Sequence, residues 1–350
     1  MRTRITFINV ERVSQFALDA FSSVGVEREG AELTARGLVM ASLQGVDSHG
    51  IRLLPQYIAE IEGGRINLRA DMRFDQTAAS TGRFDADHSL GPAAGIIAMD
   101  HAILLAQNAG IGLVSMFNSS HCGMLAYYAL HACQKDMIGL VCTHATAKLS
   151  TPNSFQPFFG SNPICVTAPM IGEAPFCFDA ATSVLTGNKI KYFHEMGLPL
   201  PEGSAVDAEG EGTIEPAKAK YLLPIGDYKG FGLAMVVDIF SGLLSGMPSG
   251  PEVSNMYGDP LSEKRRLGHI FGAIRIASFQ DPVVFKTRLQ KLADRIRRAK
   301  PRNNNQPVQI PGDPEKRQQA FRSEKGIPFT ENQLEIMNIM ARKLGIASLD

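Results

Sequence analysis

The stretch from residue 111 to 144 reads IGLVSMFNSSHCGMLAYYALHACQKDMIGLVCTH, and its rhythm decides the fold class. Two short apolar runs, Ile111–Phe117 and Met137–Thr143, are bounded by Gly, Asn, Ser and Asp and predict strands. Between them, Met124–Gln134 has the length and composition of a helix. Strand, helix and strand in this order predict an α/β chain. Further apolar runs at Ile164–Ala168 and Phe176–Phe178, with a helical segment at Ala93–Asn108, extend the α/β region over about residues 75 to 190, built on a mixed sheet.

Outward from that centre the pattern turns helical. Val13, Phe16, Ala20, Phe21 and Val24 recur at helical spacing up to Gly25. Leu33, Leu38, Ala41 and Leu43 mark a second helix that Gly45 ends, and DSHGIRLLPQYIAEIEGGRI (47–66) reads as a loop and a short helix begun by Pro55. On the other side, Gly197–Pro224 reads as a long ordered loop, Tyr228–Ser245 as a buried helix and His269–Phe279 as a strand. Lys286–Lys300 reads as a basic amphipathic helix and residues 301–314 as a turn-rich linker. A capping box from Thr330 to Gln333 opens a terminal helix with Leu334, Ile336, Met337 and Met340 on its apolar face.

Composition narrows the partners. The 350 residues are 44% hydrophobic and 20% charged, an ordinary globular balance. Lys plus Arg and Asp plus Glu both number 35, so no cationic surplus exists for nucleic acid or an acidic membrane. The five cysteines contain no CxxC pair and read as reduced thiols, which predicts a cytoplasmic protein. The start, MRTRITFINVERV, has no continuous apolar core of a signal peptide. The longest apolar stretch, Gly230 to Gly246, is too short for a membrane span and carries Asp238.

Familiar catalytic signatures are missing. Gly110-Ile-Gly112 is only a fragment of GxGxxG, His194-Glu195 lacks the second histidine of a zincin, and neither a P-loop nor a GxSxG elbow occurs. Four other stretches can carry chemistry. In Asp47-Ser48-His49-Gly50-Ile51-Arg52, His49 suits proton transfer at neutral pH, Arg52 suits a planar carboxylate, and Ser48 can orient the substrate or relay a proton. The plainer alternative is a loop that ends a helix. In Asn118-Ser119-Ser120-His121, at a strand end, His121 is a second acid, base or substrate contact; otherwise Ser and Asn cap a helix. Lys229, between glycines at the start of a helix, can bind an anion or simply sit in solvent. Asp179-Ala-Ala-Thr182 offers small residues to a flat ring, or an N-cap. A Ser-His hydrolase competes weakly, because Ser48 and His49 are adjacent and neighbours rarely direct their side chains at each other.

Together, DSHGIRLLPQYI (47–58), NSSHCGMLAYYA (118–129), FGSNPI (159–164), FDAATS (178–183), LLPIGDYKGFGLAMVVDIFSGLLSG (222–246) and IPGDPE (310–315) resemble the malate/L-lactate dehydrogenase family of non-Rossmann, NAD(P)-dependent oxidoreductases. The resemblance covers nearly the whole chain. It implies an α/β, mixed-sheet nucleotide-binding region over residues 76–319, with subdomain splits near 125 and 235. It also implies a helical domain from residues 1–75 with 320–350, and a homodimer with the active site near the subunit interface. The implied reaction is hydride transfer between NAD or NADP and a small 2-oxo or 2-hydroxy acid, with no metal. A cyclic 2-imino acid substrate, or a relative that binds without turnover, are the alternatives. His49 ranks slightly ahead of His121 as proton donor, with Ser48 beside it. Arg52 and Lys229 match substrate-binding positions. Asp179, Ala180, Ala181, Thr182, Tyr228, Lys229, Gly312 and Asp313 match cofactor-binding positions.

The sequence also departs from the family pattern. Ala145 stands where a serine is common, and Asn153-Ser154 where a glycine pair is. Asp227 and Thr167 stand where glycines are usual, and Ser204 where a tryptophan is. An aspartate at 227 near cofactor phosphates would repel them.

Overall fold

The computed structural model describes residues 5–151, 153–154, 156–303 and 305–350. A seven-stranded mixed sheet forms the centre, in the spatial order Arg73–Ala78, Thr81–Asp85, Ile111–Ser119, Leu267–Arg275, Met137–Thr143, Ile164–Ala168 and Phe176–Ala180. Thr81–Asp85 runs parallel to Ile111–Ser119, and every other neighbouring pair is antiparallel. The two strands of the opening quotation are therefore not neighbours. Leu267–Arg275 lies between them and pairs with both.

Helices Gly91–Ala109 and Ala126–Cys133 cover one face. There Val114, Met116, Val141 and Phe271 of the sheet meet Met99, Ala102, Leu125 and Tyr128. Two strand glycines permit this close approach. A side chain at Gly112 would come 2.0 Å from the Ala102 carbonyl oxygen, and one at Gly139 would come 2.2 Å from that of Ala129. The other face carries helix Tyr228–Asp238, which continues as a π-helical turn, Ile239–Leu243, and packs Val237 against Cys142 and Ile270.

The chain ends share a second core. Helices Val10–Ser23, Arg28–Leu43, Leu54–Glu62 and Glu331–Leu344 bury Phe16, Phe21, Leu38, Leu54, Tyr57 and Met337 together. Strand Ile5–Ile8 pairs antiparallel with Ile327–Thr330 beside them. The terminal helix opens with the expected capping box between Thr330 and Gln333.

Several elements differ from the sequence expectation. The strand begun at Phe176 runs on to Ala180, so Asp179 and Ala180 belong to the last strand of the sheet and do not follow it. Thr167 lies inside strand Ile164–Ala168, where the apolar run predicted a strand, and its hydroxyl donates to the Ala129 carbonyl. A helix occupies Asp313–Lys325, where the polar composition carries almost no apolar stripe to read. The stretch before it has no regular structure in its described residues, and residue 304 lies outside them. The helix expected to be buried at Tyr228–Ser245 buries only one side. Met235, Val236, Ile239 and Phe240 face outward, with Leu243 and Leu244 60% and 57% exposed. Among the described residues no helix is long and apolar enough to cross a membrane.

Candidate active site

A two-lobed cleft opens at the ends of strands Ile111–Ser119 and Phe176–Ala180. The larger lobe, about 380 Å³, is lined by Asp179, Ala180 and Ala181, by Gly312 and Glu315, and by the turn Gly123–Ala126. The smaller, about 130 Å³, contains His121, Thr143, Lys148, Asn188, Tyr257 and Arg265 among its lining residues. His49 lines both and is the one titratable side chain, among the described residues, that does so.

Short-range geometry fixes His49. Two 3-10 turns, Asp47–His49 and Ile51–Leu53, follow helix Arg28–Leu43, and the Ser42 hydroxyl accepts from the Ile51 N–H at 2.9 Å. A side chain at Gly50 would meet that hydroxyl, so only glycine lets the turn fold back onto the helix. Asp47 is held by Arg322 of the later helix. The turn curls Ser48 back, so that its Oγ lies 2.9 Å from His49 Nδ1. The expectation that these neighbours face apart is therefore corrected: the tight turn supplies the curvature that an extended chain lacks. With Nδ1 engaged, Nε2 is the ring nitrogen left for the cleft. Loss of solvent lowers the His49 pKa to about 4, so the ring is neutral at pH 7.

His121 is held differently. Its Nδ1 accepts from the Gly123 N–H at 3.3 Å and lies 2.7 Å from the hydroxyl of buried Tyr57. Nδ1 is thus an acceptor, and Nε2 carries the proton of the neutral ring. Burial first, then the neighbouring His49, Arg265 and His269, holds the His121 pKa well below the usual range. Ser120 does not cap the following helix. Its hydroxyl accepts from the Gly91 N–H and donates to the Ser89 carbonyl, which closes the start of Gly91–Ala109.

Charge divides the lobes. Among the described residues lining the smaller lobe there is no carboxylate, and both cations are sparsely partnered there. Arg265 is buried, its Nε and Nη2 bond Ser254, and its Nη1 has no partner. Burial lowers its pKa to about 10. Lys148 has no carboxylate within ion-pair distance among the described residues. Burial and then Lys191 lower its pKa. The larger lobe carries Asp179 and Glu315. Asp179 accepts the Ala126 N–H at 2.8 Å, so it caps the helix across the cleft. Although open to the cleft, the carboxylate is walled in by protein, and this loss of solvent pushes its pKa up to about 6.

His49, Ser48, His121, Asp179, Ala180, Ala181 and Gly312 gather at this cleft. The other expected residues line neither lobe. Arg52 bonds Glu195. Thr182 is buried on the Ser161 carbonyl. Asp313 pairs with Arg297. Tyr228 and Lys229 lie exposed on the first turn of helix Tyr228–Asp238, with Asp227 before them. Asp227 also lines neither lobe. Conversely, the sequence reading missed Lys148 and Arg265. Arg265 sits in the run Glu263-Lys-Arg-Arg266, which has the composition of a solvated charge cluster and gives no sign that its third member is buried.

The model of the malate/L-lactate dehydrogenase family matches residues 8–338. The chain belongs to that family. It is 32% identical to a malate dehydrogenase of Pyrococcus abyssi over 97% of this chain and 95% of that one. It is 29% identical to the ureidoglycolate dehydrogenase (NAD(+)) of Escherichia coli K12, covering 93% of each. The crystal structure of malate dehydrogenase from Entamoeba histolytica superposes with a TM-score of 0.93 at 26% identity, covering 98% and 99% of the two chains. This member of the family is accordingly an NAD- or NADP-dependent oxidoreductase, and the 2-hydroxy-acid reading is better supported than the imino-acid one.

Proposed function

We propose that the smaller lobe binds a small 2-hydroxy or 2-oxo acid and that His49 moves the proton of its C2 oxygen. The observation that carries this is the junction: one neutral histidine joins a larger lobe, lined by small residues and two carboxylates, to a smaller lobe that holds two cations and no carboxylate. The larger lobe fits a nicotinamide nucleotide. Gly123, Ala126, Ala180, Ala181 and Gly312 leave room for a flat ring, and Phe176–Ala180, the last strand of the sheet, has one unpaired backbone edge to meet it. When bound there, the cofactor supplies or takes the hydride.

This chain's residues then divide the remaining work. Lys148 holds the substrate carboxylate, and buried Arg265 in the wall of the lobe adds a second positive charge behind it. His121 donates through Nε2 to the C2 oxygen and stabilises its developing charge. In oxidation, His49 Nε2 takes the hydroxyl proton, and in reduction it returns it. Ser48 fixes the ring by its bond to Nδ1. Helix Tyr228–Asp238 and its π turn present the apolar stripe to a second copy of the chain, which gives a homodimer and places Tyr228 and Lys229 at the interface. Reduced cysteines, four buried and Cys177 half-buried, agree with a cytoplasmic protein.

The test is fluorescence titration with NADH and NADPH, followed by NADH or NADPH oxidation with pyruvate, oxaloacetate, sulfo- and ureido-substituted 2-oxo acids and piperideine-2-carboxylate. Saturable binding and turnover on a 2-oxo acid are expected. Turnover on the cyclic imine alone would overturn the substrate reading.

A further inference from the structure

Arg52 belongs to the DSHGIR motif, yet its side chain leaves the cleft. Its Nη2 donates to both carboxylate oxygens of Glu195, 3.0 Å each, and its Nη1 is buried without a partner. It borders a cavity of about 40 Å³ with Ser42, Asp47 and Phe329, on a side separate from the substrate lobe. Glu195 is the last residue of helix Gly187–Glu195, whose first turn carries Gly187 and Asn188 into the wall of the smaller lobe, after its cap Thr186.

That helix has little to hold it. None of its residues is fully buried, and of its side chains only Ile190 joins an apolar cluster. Its position rests on polar ties to neighbouring segments. Asn188 Nδ2 donates to the Ser48 carbonyl at 3.2 Å, and the Tyr257 hydroxyl donates to Asn188 Oδ1 at 3.4 Å. Lys191 Nζ lies over the Tyr257 ring, 4.3 Å from its centre. The Arg52–Glu195 pair is the tie at the far end. Arg52 itself stands on firm ground, between buried Ile51 and Leu53.

We propose that Arg52 is a positioning residue that pins helix Gly187–Glu195 through Glu195 and thereby sets Asn188 against the substrate in the smaller lobe. It contacts no reacting group. The proposal rests on the functional reading above for its kinetic consequence, but not for its structural one. A carboxylate clamp would depend on Arg52 alone, whereas a pin depends equally on Glu195.

The experiment is a charge swap in the full chain: Glu195→Gln, Arg52→Glu, and Arg52→Glu combined with Glu195→Arg. Each is read by the Michaelis constant and kcat for the substrate and by amide exchange over residues 186–196 without substrate. Each single change is expected to raise the Michaelis constant about fivefold, with kcat moved less than about twofold, and to speed exchange of that segment about fivefold. The swapped pair is expected to restore both. An unchanged Michaelis constant and exchange in Glu195→Gln would overturn the proposal, as would a swap that restores neither. If the wild-type chain turns over no hydroxy acid, the functional reading fails, and the exchange rates alone still decide whether the pin exists.

Discussion

His49 and His121 stack face to face, with ring centroids 5.7 Å apart and planes 13° from parallel, yet their hydrogen bonds give them opposite duties. Ser48 occupies Nδ1 of His49, and a backbone N–H occupies Nδ1 of His121. The second contact fixes a tautomer, so neutral His121 can donate but not accept through Nε2. The first allows either tautomer, because a hydroxyl both donates and accepts. Of the two rings, His49 is the one that can serve as base in the proposed hydroxy-acid oxidation.

It follows that His49→Ala lowers kcat by about 10²–10⁴-fold with cofactor affinity little changed, the usual span for a lost general acid or base. His121→Ala removes one donor and a ring stacked on His49, and is expected to cost less. The oxidation rate at saturating cofactor should stay level above pH 5 and fall as His49 becomes protonated through about pH 4. Steady-state kinetics of both variants against pH decide this. Equal losses in the two variants would remove the division of duties.

Lys148 provides the cleaner test of the anion site, because it carries no structural ion pair among the described residues. Lys148→Met should raise the Michaelis constant about 10-fold, in keeping with about 1.5 kcal/mol for a charge-assisted bond. NADH binding by fluorescence should be unchanged. A lowered kcat with an unchanged Michaelis constant would move Lys148 from binding to chemistry.

How much of this was legible in the sequence depends on how local each signal is. Strands Met137–Thr143 and Ile164–Ala168 and the capping box at Thr330 are written in contiguous residues, and the structure places them where the pattern does. The insertion of Leu267–Arg275 between two earlier strands is a long-range pairing that no window of sequence contains. The same holds at the site. His49 and His121 stand out because each lies in a glycine-bearing turn. Arg265 needs its burial against Ser254 to be noticed, and Arg52 needs its bond to Glu195, from far along the chain, to be taken out of the cleft.

Two positions where the family favours glycine keep a glycine-like backbone here: Asn153 has φ +59° and Asp227 has φ +58°. Asparagine tolerates positive φ, but Asp227 combines it with ψ −126°, outside the left-handed helical region, and makes no side-chain cap bond. Asp227→Gly is therefore expected to stabilise the fold by about 1 kcal/mol, whereas Asn153→Gly should change it by less than about 0.5 kcal/mol. Denaturant unfolding midpoints measure both. A destabilised Asp227→Gly would show that the carboxylate has a partner outside this chain.

Acid stability has a definite sign. Burial lowers the pKa of His49 to about 4 and of His269 to about 3, and takes His121 down as well. Unfolded histidines titrate near 6.5, so the unfolded state binds more protons below that pH. Stability contributed by these neutral rings is present above pH 6.5 and is lost as pH falls toward 3. Asp179 opposes them: its raised pKa makes the folded state the better proton binder between about 4 and 6. Three histidines should outweigh one carboxylate. Thermal midpoints should fall from pH 6.5 to 4, more steeply in Asp179→Asn, and a midpoint that rises over that range would contradict the balance.

The outward stripe on helix Tyr228–Asp238 and its π turn gives the last prediction. Met235, Val236, Ile239, Phe240, Leu243 and Leu244 fall at helical spacing on one side, and no segment of the described chain covers them. A contiguous exposed apolar stripe of this kind marks an interaction surface. A copy of the same chain offers the same stripe, so a two-fold pairing is self-complementary. Light scattering of the wild type should report the mass of two chains. The double variant Leu243→Glu, Leu244→Glu should report one chain, because like charges would then face each other across the axis. Tyr228 and Lys229 sit on the same helix, so loss of pairing should also alter cofactor affinity if that interface borders the active site. A monomeric wild type would leave the stripe without an occupant, and a double variant that stays dimeric would place the interface on another face.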